Sequence, residues 1–326
     1  SSAFQPNLLG VVLISVAHFQ TSSPAVAVGE GSLADPESME GMAHYVEHML
    51  FMGTKEYPDH YEYSKFIKMH GGSNNAYTAD EVTNYYFEID HSALEGGLQR
   101  FSRFFVSPLF DKTYLQKEKN AVNSEFNKNL KNDWWRLGRF VSSLSEATHP
   151  NRKFNIGSTK TLASVKREDV IKFYRNYYSS NNMKLVVMSN KPLVEMRKLV
   201  EKNFSDVPNF NIKRPKYNDH YFKKSETDRL HYVKSIRDQE SLHIIFDIPD
   251  EVPYWQSKPT EIIASLIGDE GRGSLLSYLK GKGWALELGS STGSYWRRFS
   301  ISVTMTPAGR KNHKEIIKSV FAYIDF

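Results

Sequence analysis

The stretch "GMAHYVEHMLFMG", residues 41–53, sets two histidines and a glutamate within one turn of an otherwise apolar segment. Glu40 just ahead of it and Gly53 just past it suit a helix's first turn and its stop, so a helix over roughly 39–52 is predicted. On a helix, residues four apart lie one above the other, and the residue three along lies beside them. His44 and His48 can therefore turn two imidazoles toward one ion, with Glu47 next to them. Zinc accepts neutral imidazole nitrogens, and a catalytic zinc site needs three protein ligands and a water. Glu47 is then placed to take a proton from that water as it attacks a carbonyl. Phe51, seven residues on from His44, is expected to wall the site, with Tyr45, Met49 and Met52 facing the core. The competing reading is a pair of hydrogen-bonded histidines on a core helix.

A third ligand must come from elsewhere in the chain. There is no cysteine, which excludes disulfides, thiolate zinc sites and a cysteine nucleophile and leaves His, Asp and Glu. The segment "EKNAVNSEF" (118–126) offers Glu118 and Glu125, two turns apart on one face of a helix. One of them would complete the site, while the other would steady an imidazole or an ordered water from behind. Spacing alone leaves that choice open.

Composition bounds the rest. A length of 326 residues fits about two domains at roughly 150 residues each. With 40% hydrophobic and 13% aromatic residues the chain can bury a substantial core, which excludes disorder. The net charge of +5, from 42 Lys+Arg against 37 Asp+Glu, is spread along the chain. Its densest basic stretch, "NIKRPKYNDHYFKK" (211–224), reads as a solvated linker, and with no reader motif present no nucleic-acid partner is expected. No window approaches the roughly 18–20 apolar residues of a membrane-spanning helix, so no membrane span is expected. The opening "SSAFQPNLLGVVLISVAHFQ" lacks the basic start and cleavage site of a secretory signal. With the absence of cysteine, that leans toward the cytoplasm without establishing a compartment.

Strands are predicted at 11–16, 24–32, 83–89 and 183–189, from runs rich in Val or alternating in polarity. Helices are predicted at 59–70, 92–105, 167–178 and 192–204, with one long helix from Asp111 to about Glu146. After the linker come "RLHYVKSI" and "SLHIIFDI" as strands, the helix "SKPTEIIASLIG" and a glycine-rich turn "GDEGRGS". The strand "FSISVTMT" and the helix "HKEIIKSVFAYI" follow. The expected fold is α+β, two similar-looking units, each a largely antiparallel sheet with helices packed on one face. A catalytic domain at 1–210 would be followed by a basic polar linker at 211–230. The second α+β domain at 231–326 ends without an evident final strand, as expected of part of a longer polypeptide.

The spacing His44-x-x-Glu47-His48, then 76 residues and Glu125, resembles the inverted-motif zinc peptidases of the pitrilysin/insulinase family. The resemblance runs in order through "GSLADP", "GMAHYVEHMLFMGTKEYP", "HGGSNNAYT", "TNYYFEI", "RFFVSPLF", "EKNAVNSEF", "HPNRKFNIGSTKTL" and "YYSSNNMKLVV". It reaches the second unit in "DEGRGSLLSYLKGKGWA". It implies Zn2+ held by His44, His48 and Glu125, Glu47 as general base and Glu118 as a supporting carboxylate. It further implies that Asn75, Ala76 and Tyr77 bind an extended substrate through main-chain pairing. The implied activity is zinc-dependent endopeptidase action on oligopeptides and small unfolded proteins. The alternative is a non-catalytic peptide-binding or scaffold member of the same fold. Members of this subgroup are longer, with two halves closing around a peptide, and this chain resembles the N-terminal half. A C-terminal half would then complete the chamber and supply the arginine and tyrosine that polarise the scissile carbonyl, so the isolated chain is expected to be weak or inactive. Ser290 and Ser291 stand where the family uses glycines to hold the substrate's N-terminus.

Overall fold

A computed structural model describes residues 2–5, 7, 9–217, 222–237, 239–293 and 298–326. Residues 218–221 of the expected linker lie outside the described residues. The fold is α+β, and the chain divides into two compact units, 1–129 with 150–216 and 130–149 with 217–326.

The first unit is built on a six-stranded sheet of β1 (Ser2–Phe4), β2 (Gly10–Ser15), β3 (Thr21–Val28), β4 (Ser73–Thr78), β5 (Thr83–Asp90) and β6 (Met183–Ser189). Their order is β1-β2-β6-β3-β5-β4, antiparallel throughout except for β2 beside β6. Alternation decides which side chains turn inward. Val26 and Val28 of β3 and Tyr85, Phe87 and Ile89 of β5 are buried, and their neighbours in sequence are not. Helices α1 (Met42–Leu50), α2 (Glu62–Met69), α3 (Leu94–Arg103) and α7 (Leu193–Phe204) pack against these strands, while α4 (Lys112–Asn129) and α6 (Arg167–Tyr177) pack on α1. α1 is thus enclosed on several sides. Met42, Ala43, Tyr45, Val46, Glu47, Met49 and Leu50 are all buried, which leaves His44 and His48 on its partly open side.

Helix α1 is shorter than predicted, and its start has another cause. Glu40 lies outside the first turn and its carboxylate accepts the main-chain N–H of Phe154 at 3.0 Å. Asp35 supplies the N-terminal anion, taking the N–H groups of Gly41 and Ala43, each at 2.7 Å. This satisfies helix donors that lack an intrahelical acceptor. The stop at Gly53 is as read: its φ is +93°, and a Cβ there would sit 2.6 Å from Pro58 O. Phe51, expected to wall the site, instead packs its ring against Phe104, Tyr63 and Tyr85.

The long helix predicted to Glu146 is two helices. After Asn129 the chain turns, and the Asn132 side chain accepts from Trp134 N at 2.9 Å to start α5 (Asp133–Ser143). Residues 130–149 group with the second unit, whereas composition set 1–210 together.

That unit carries a three-stranded antiparallel sheet, β7 (Glu240–Asp247), β8 (Ala285–Gly293) and β9 (Arg298–Met305), in the order β7-β9-β8. Its remaining helices are α8 (Pro259–Ile267), α9 (Leu275–Gly281), α10 (Pro307–Lys311) and α11 (His313–Asp325). The strand expected in "RLHYVKSI" does not form. Its backbone is held by α5 instead, where the Asp133 carboxylate accepts from Ile236 N at 2.9 Å and Arg237 N at 3.0 Å, and Arg136 donates to Lys234 O at 3.0 Å. Strand β8, unread in the sequence, includes Ser290 and Ser291. Among the described residues no helix is long and apolar enough to cross a membrane.

Strand β4 is an edge, paired among the described residues with β5 alone, so its register decides where it presents its residues. Gly72 sets the entry into it: a Cβ there would lie 2.0 Å from Glu88 O and 2.9 Å from Ile67 Cγ2. Gly72→Ala is expected to destabilise the chain by about 1–3 kcal/mol through forced backbone displacement, read as a lower denaturant midpoint.

Candidate metal centre

Helices α1 and α4 face each other and are joined by Tyr45, whose hydroxyl donates to Leu115 O at 2.7 Å. This contact brings Glu118 and Glu125 of α4 to the histidine face of α1. His44 Nε2 lies 3.3 Å from His48 Nε2 and 3.4 Å from Glu125 Oε2, and His48 Nε2 lies 3.5 Å from Glu125 Oε1. His44, His48 and Glu125 form a group of side chains that could hold a metal ion. A tetrahedral ion with bonds of about 2.0–2.1 Å keeps its ligand atoms about 3.3–3.4 Å apart. The two Nε2 atoms stand at that separation, and each lies 3.4–3.5 Å from a different oxygen of the Glu125 carboxylate.

The other ring nitrogens fix the tautomers. His44 Nδ1 lies 2.7 Å from Ile156 O, a carbonyl that can only accept, so the proton is on Nδ1. His48 Nδ1 lies 3.1 Å from Glu118 Oε2 and likewise donates to a carboxylate. In the neutral rings both Nε2 atoms then present lone pairs to each other and to the Glu125 oxygens, an arrangement that repels itself unless a cation sits among them. The surroundings of His44 and Glu125 favour the imidazolium on one and the carboxylate on the other. Burial alone would lower the His44 pKa, but Glu125, Glu47 and the Ile156 carbonyl outweigh it and raise it. Glu125 is held below the usual carboxylate range, first by its hydrogen bond with His44.

Glu47 stands apart from His44, His48 and Glu125. It is 7% exposed, and one oxygen, Oε2, accepts from Thr78 Oγ1 at 2.6 Å. Burial raises its pKa against the opposing pull of His44, the Thr78 hydroxyl and His48. A carboxylate that holds its proton more readily than usual, with one oxygen tethered, can exchange a proton.

The structure brings His44, His48, Glu125, Glu118 and Glu47 together, with Glu118 behind His48 and Glu125 beside both rings. Asn75, Ala76 and Tyr77 lie one to three residues before Thr78 on the β4 edge, Asn75 and Tyr77 exposed and Ala76 half-buried. In the second unit, Ser290 Oγ donates to Ala264 O, and Ser291 Oγ lies 3.1 Å from Ser300 Oγ. Three participants escaped sequence reasoning. Thr78 is an unremarkable strand residue by type, Ile156 acts through its main chain, and Asp35 lies in "GSLADP", well ahead of the helix it caps. Burial pushes the Asp35 carboxyl up to about 7, against the pull of Ala43 N–H, Gly41 N–H and the Lys153 ammonium.

The chain is similar to known proteins along nearly its whole length. The family described as Insulinase (Peptidase family M16) matches residues 10–148, and the one described as Peptidase M16 inactive domain matches 164–325. The A-factor-processing enzyme of Saccharomyces cerevisiae is 39% identical over 98% of this chain, and 32% of its own length is covered. Insulin-degrading enzyme of Homo sapiens is 42% identical over 98% of this chain, again covering 32% of that protein. The crystal structure of pitrilysin superposes with a TM-score of 0.90 at 32% identity, over 99% of this chain and 35% of that one. The chain thus spans about a third of the length of the curated relatives it matches.

Asp35→Ala removes the acceptor for two buried N–H groups at the start of α1. It is expected to cost about 1–2 kcal/mol, measured by chemical denaturation. Asp35→Asn, which keeps one acceptor oxygen, should cost less.

Proposed function

Since the chain belongs to the insulinase family of peptidases, we propose that it carries the catalytic centre of a zinc-dependent endopeptidase acting on oligopeptides and small unfolded proteins. One observation carries the proposal: the two Nε2 atoms converge at 3.3 Å on the Glu125 carboxylate, which sets Oε2 3.4 Å from His44 and Oε1 3.5 Å from His48. Two imidazoles and one carboxylate, with room for a fourth ligand, are the donor set of hydrolytic zinc sites. His44, His48 and Glu125 are the proposed ligands. When bound, zinc supplies a more acidic water and polarises the scissile carbonyl.

Glu47 is the proposed general base. With Oε2 tethered to Thr78, Oε1 takes the proton of the attacking water and delivers it to the leaving amine. Glu118 keeps the His48 ring oriented by accepting its Nδ1–H. The open edge of β4 suits an extended peptide added as a further strand. Asn75, Ala76 and Tyr77 would pair with its main chain, and the strand leads directly to Thr78 and hence to Glu47.

The catalytic role is assigned to the first unit. A C-terminal half, for which the greater length of the relatives leaves room, would complete the chamber and polarise the carbonyl. A non-catalytic scaffold would be expected to lack one of the key side chains, and His44, Glu47, His48 and Glu125 are all present.

Elemental analysis should find about one zinc per chain. Glu125→Gln should weaken zinc binding by more than the roughly 10- to 100-fold that outer contacts cost, read by chelator competition. A well-folded chain without zinc would remove the reading. In the complete enzyme, Glu47→Gln should lower kcat by about 10²- to 10⁴-fold while zinc stays bound, and retained turnover would exclude Glu47 as the base.

A further inference from the structure

Residues 153–159 supply no group to the proposed chemistry, yet they touch both helices that carry metal ligands. On the α1 side, the Ile156 carbonyl accepts from His44 Nδ1 at 2.7 Å, and Phe154 N donates to Glu40 Oε2 at 3.0 Å. Lys153, only 8% exposed, donates from its ammonium to Leu33 O at 3.0 Å and to Asp35 O. Asp35 is the residue whose carboxylate holds the first N–H groups of α1. Gly157 lies so close to Gly41 that a Cβ on Gly41 would be 2.3 Å from Gly157 Cα. On the α4 side, the Phe154 ring meets Phe126 edge-on at 5.2 Å. Thr159 donates from both its N–H and its hydroxyl to Asn123 Oδ1, each at 3.0 Å. Phe126 and Asn123 flank Glu125 in sequence.

We infer that Lys153 and Glu40 are positioning residues for the metal centre: they fix this segment against the start of α1, so that the Ile156 carbonyl holds His44 Nδ1–H and aims His44 Nε2 at the ion. The inference rests on the zinc reading above. Burying an ammonium is costly unless it is well hydrogen-bonded. This one binds main-chain oxygens on the approach to α1, amid the carboxylates of Asp35, Glu37, Glu40 and Glu30. It is therefore placed to hold backbone to backbone. The hydrogen bond on a ligand's far nitrogen sets both the tautomer and the direction of the metal-facing lone pair, and losing such a contact costs metal affinity. Glu40 and Lys153 grip the segment at adjacent residues, and the carbonyl they control comes from Ile156, two residues beyond Phe154.

The test measures zinc affinity by chelator competition and the visible absorption of the cobalt(II)-loaded chain, whose bands report ligand geometry. The melting midpoint of each metal-free variant serves as the control. Lys153→Met and Glu40→Ala should weaken zinc binding by about 10- to 100-fold and shift the cobalt bands. Glu40→Gln, whose amide oxygen still accepts Phe154 N–H, should keep the affinity and bands of the unaltered chain. Unchanged affinity and bands in Lys153→Met and Glu40→Ala would overturn the inference even if both melted earlier, since packing alone would account for that. Should Lys153→Met fail to fold, the Glu40 pair decides alone. An unaltered chain that binds no zinc defeats the zinc reading and this inference with it, whereas tight binding in every variant defeats only the inference.

Discussion

Two imidazole Nε2 atoms are made to face each other 3.3 Å apart, and much of the first unit serves that juxtaposition. Left alone, the rings would turn apart or take up a proton. They are held because each Nδ1–H is committed to a fixed acceptor, Ile156 O for His44 and Glu118 for His48. The acceptors are fixed in turn by the packing of α4 on α1 and by the segment at 153–157. Folding therefore gathers two imidazole nitrogens and a carboxylate into a group that could hold a cation.

Enclosure of α1 follows from the same need. A helix whose two histidines must not swing is buried along nearly all the rest of its surface, with Tyr45 and Met49 fully inside the core. Burial also raises a difficulty at its N-terminus, where water cannot satisfy the first N–H groups. Asp35 does so from outside the helix, and Lys153 keeps Asp35's own backbone in position. Glu47 is drawn into the same enclosure, which leaves it a carboxylate that holds its proton more readily than usual.

The edge strand β4 joins this centre to the sheet. Edges of sheets invite further strands, and proteins commonly blunt them. Here, among the described residues, the edge pairs with β5 alone beside the candidate metal centre, with Asn75 and Tyr77 outward and Thr78 turned to Glu47. Through Thr78, the register of β4 on β5 also sets the orientation of Glu47, so strand pairing and the proposed base share one anchor.

Sequence by itself determined the local features: the spacing that puts His44, Glu47 and His48 on one helix, the seven-residue interval between Glu118 and Glu125, the alternation of β5 and the stop at Gly53. These depend on residue type and helical or strand period, which a linear text carries. Spacing could not choose between Glu118 and Glu125; the family resemblance named Glu125, and only the docking of α4 on α1 shows that Glu125 meets both Nε2 atoms while Glu118 meets His48 Nδ1. Tertiary structure alone also decided the roles of Asp35, Thr78 and the Ile156 carbonyl, and the break that divides α4 from α5. It turned the expected strand at 229–236 into a strap held by Asp133. In each case the deciding partner is distant in sequence or is a backbone atom common to every residue, so the residue's own type carries no sign of it.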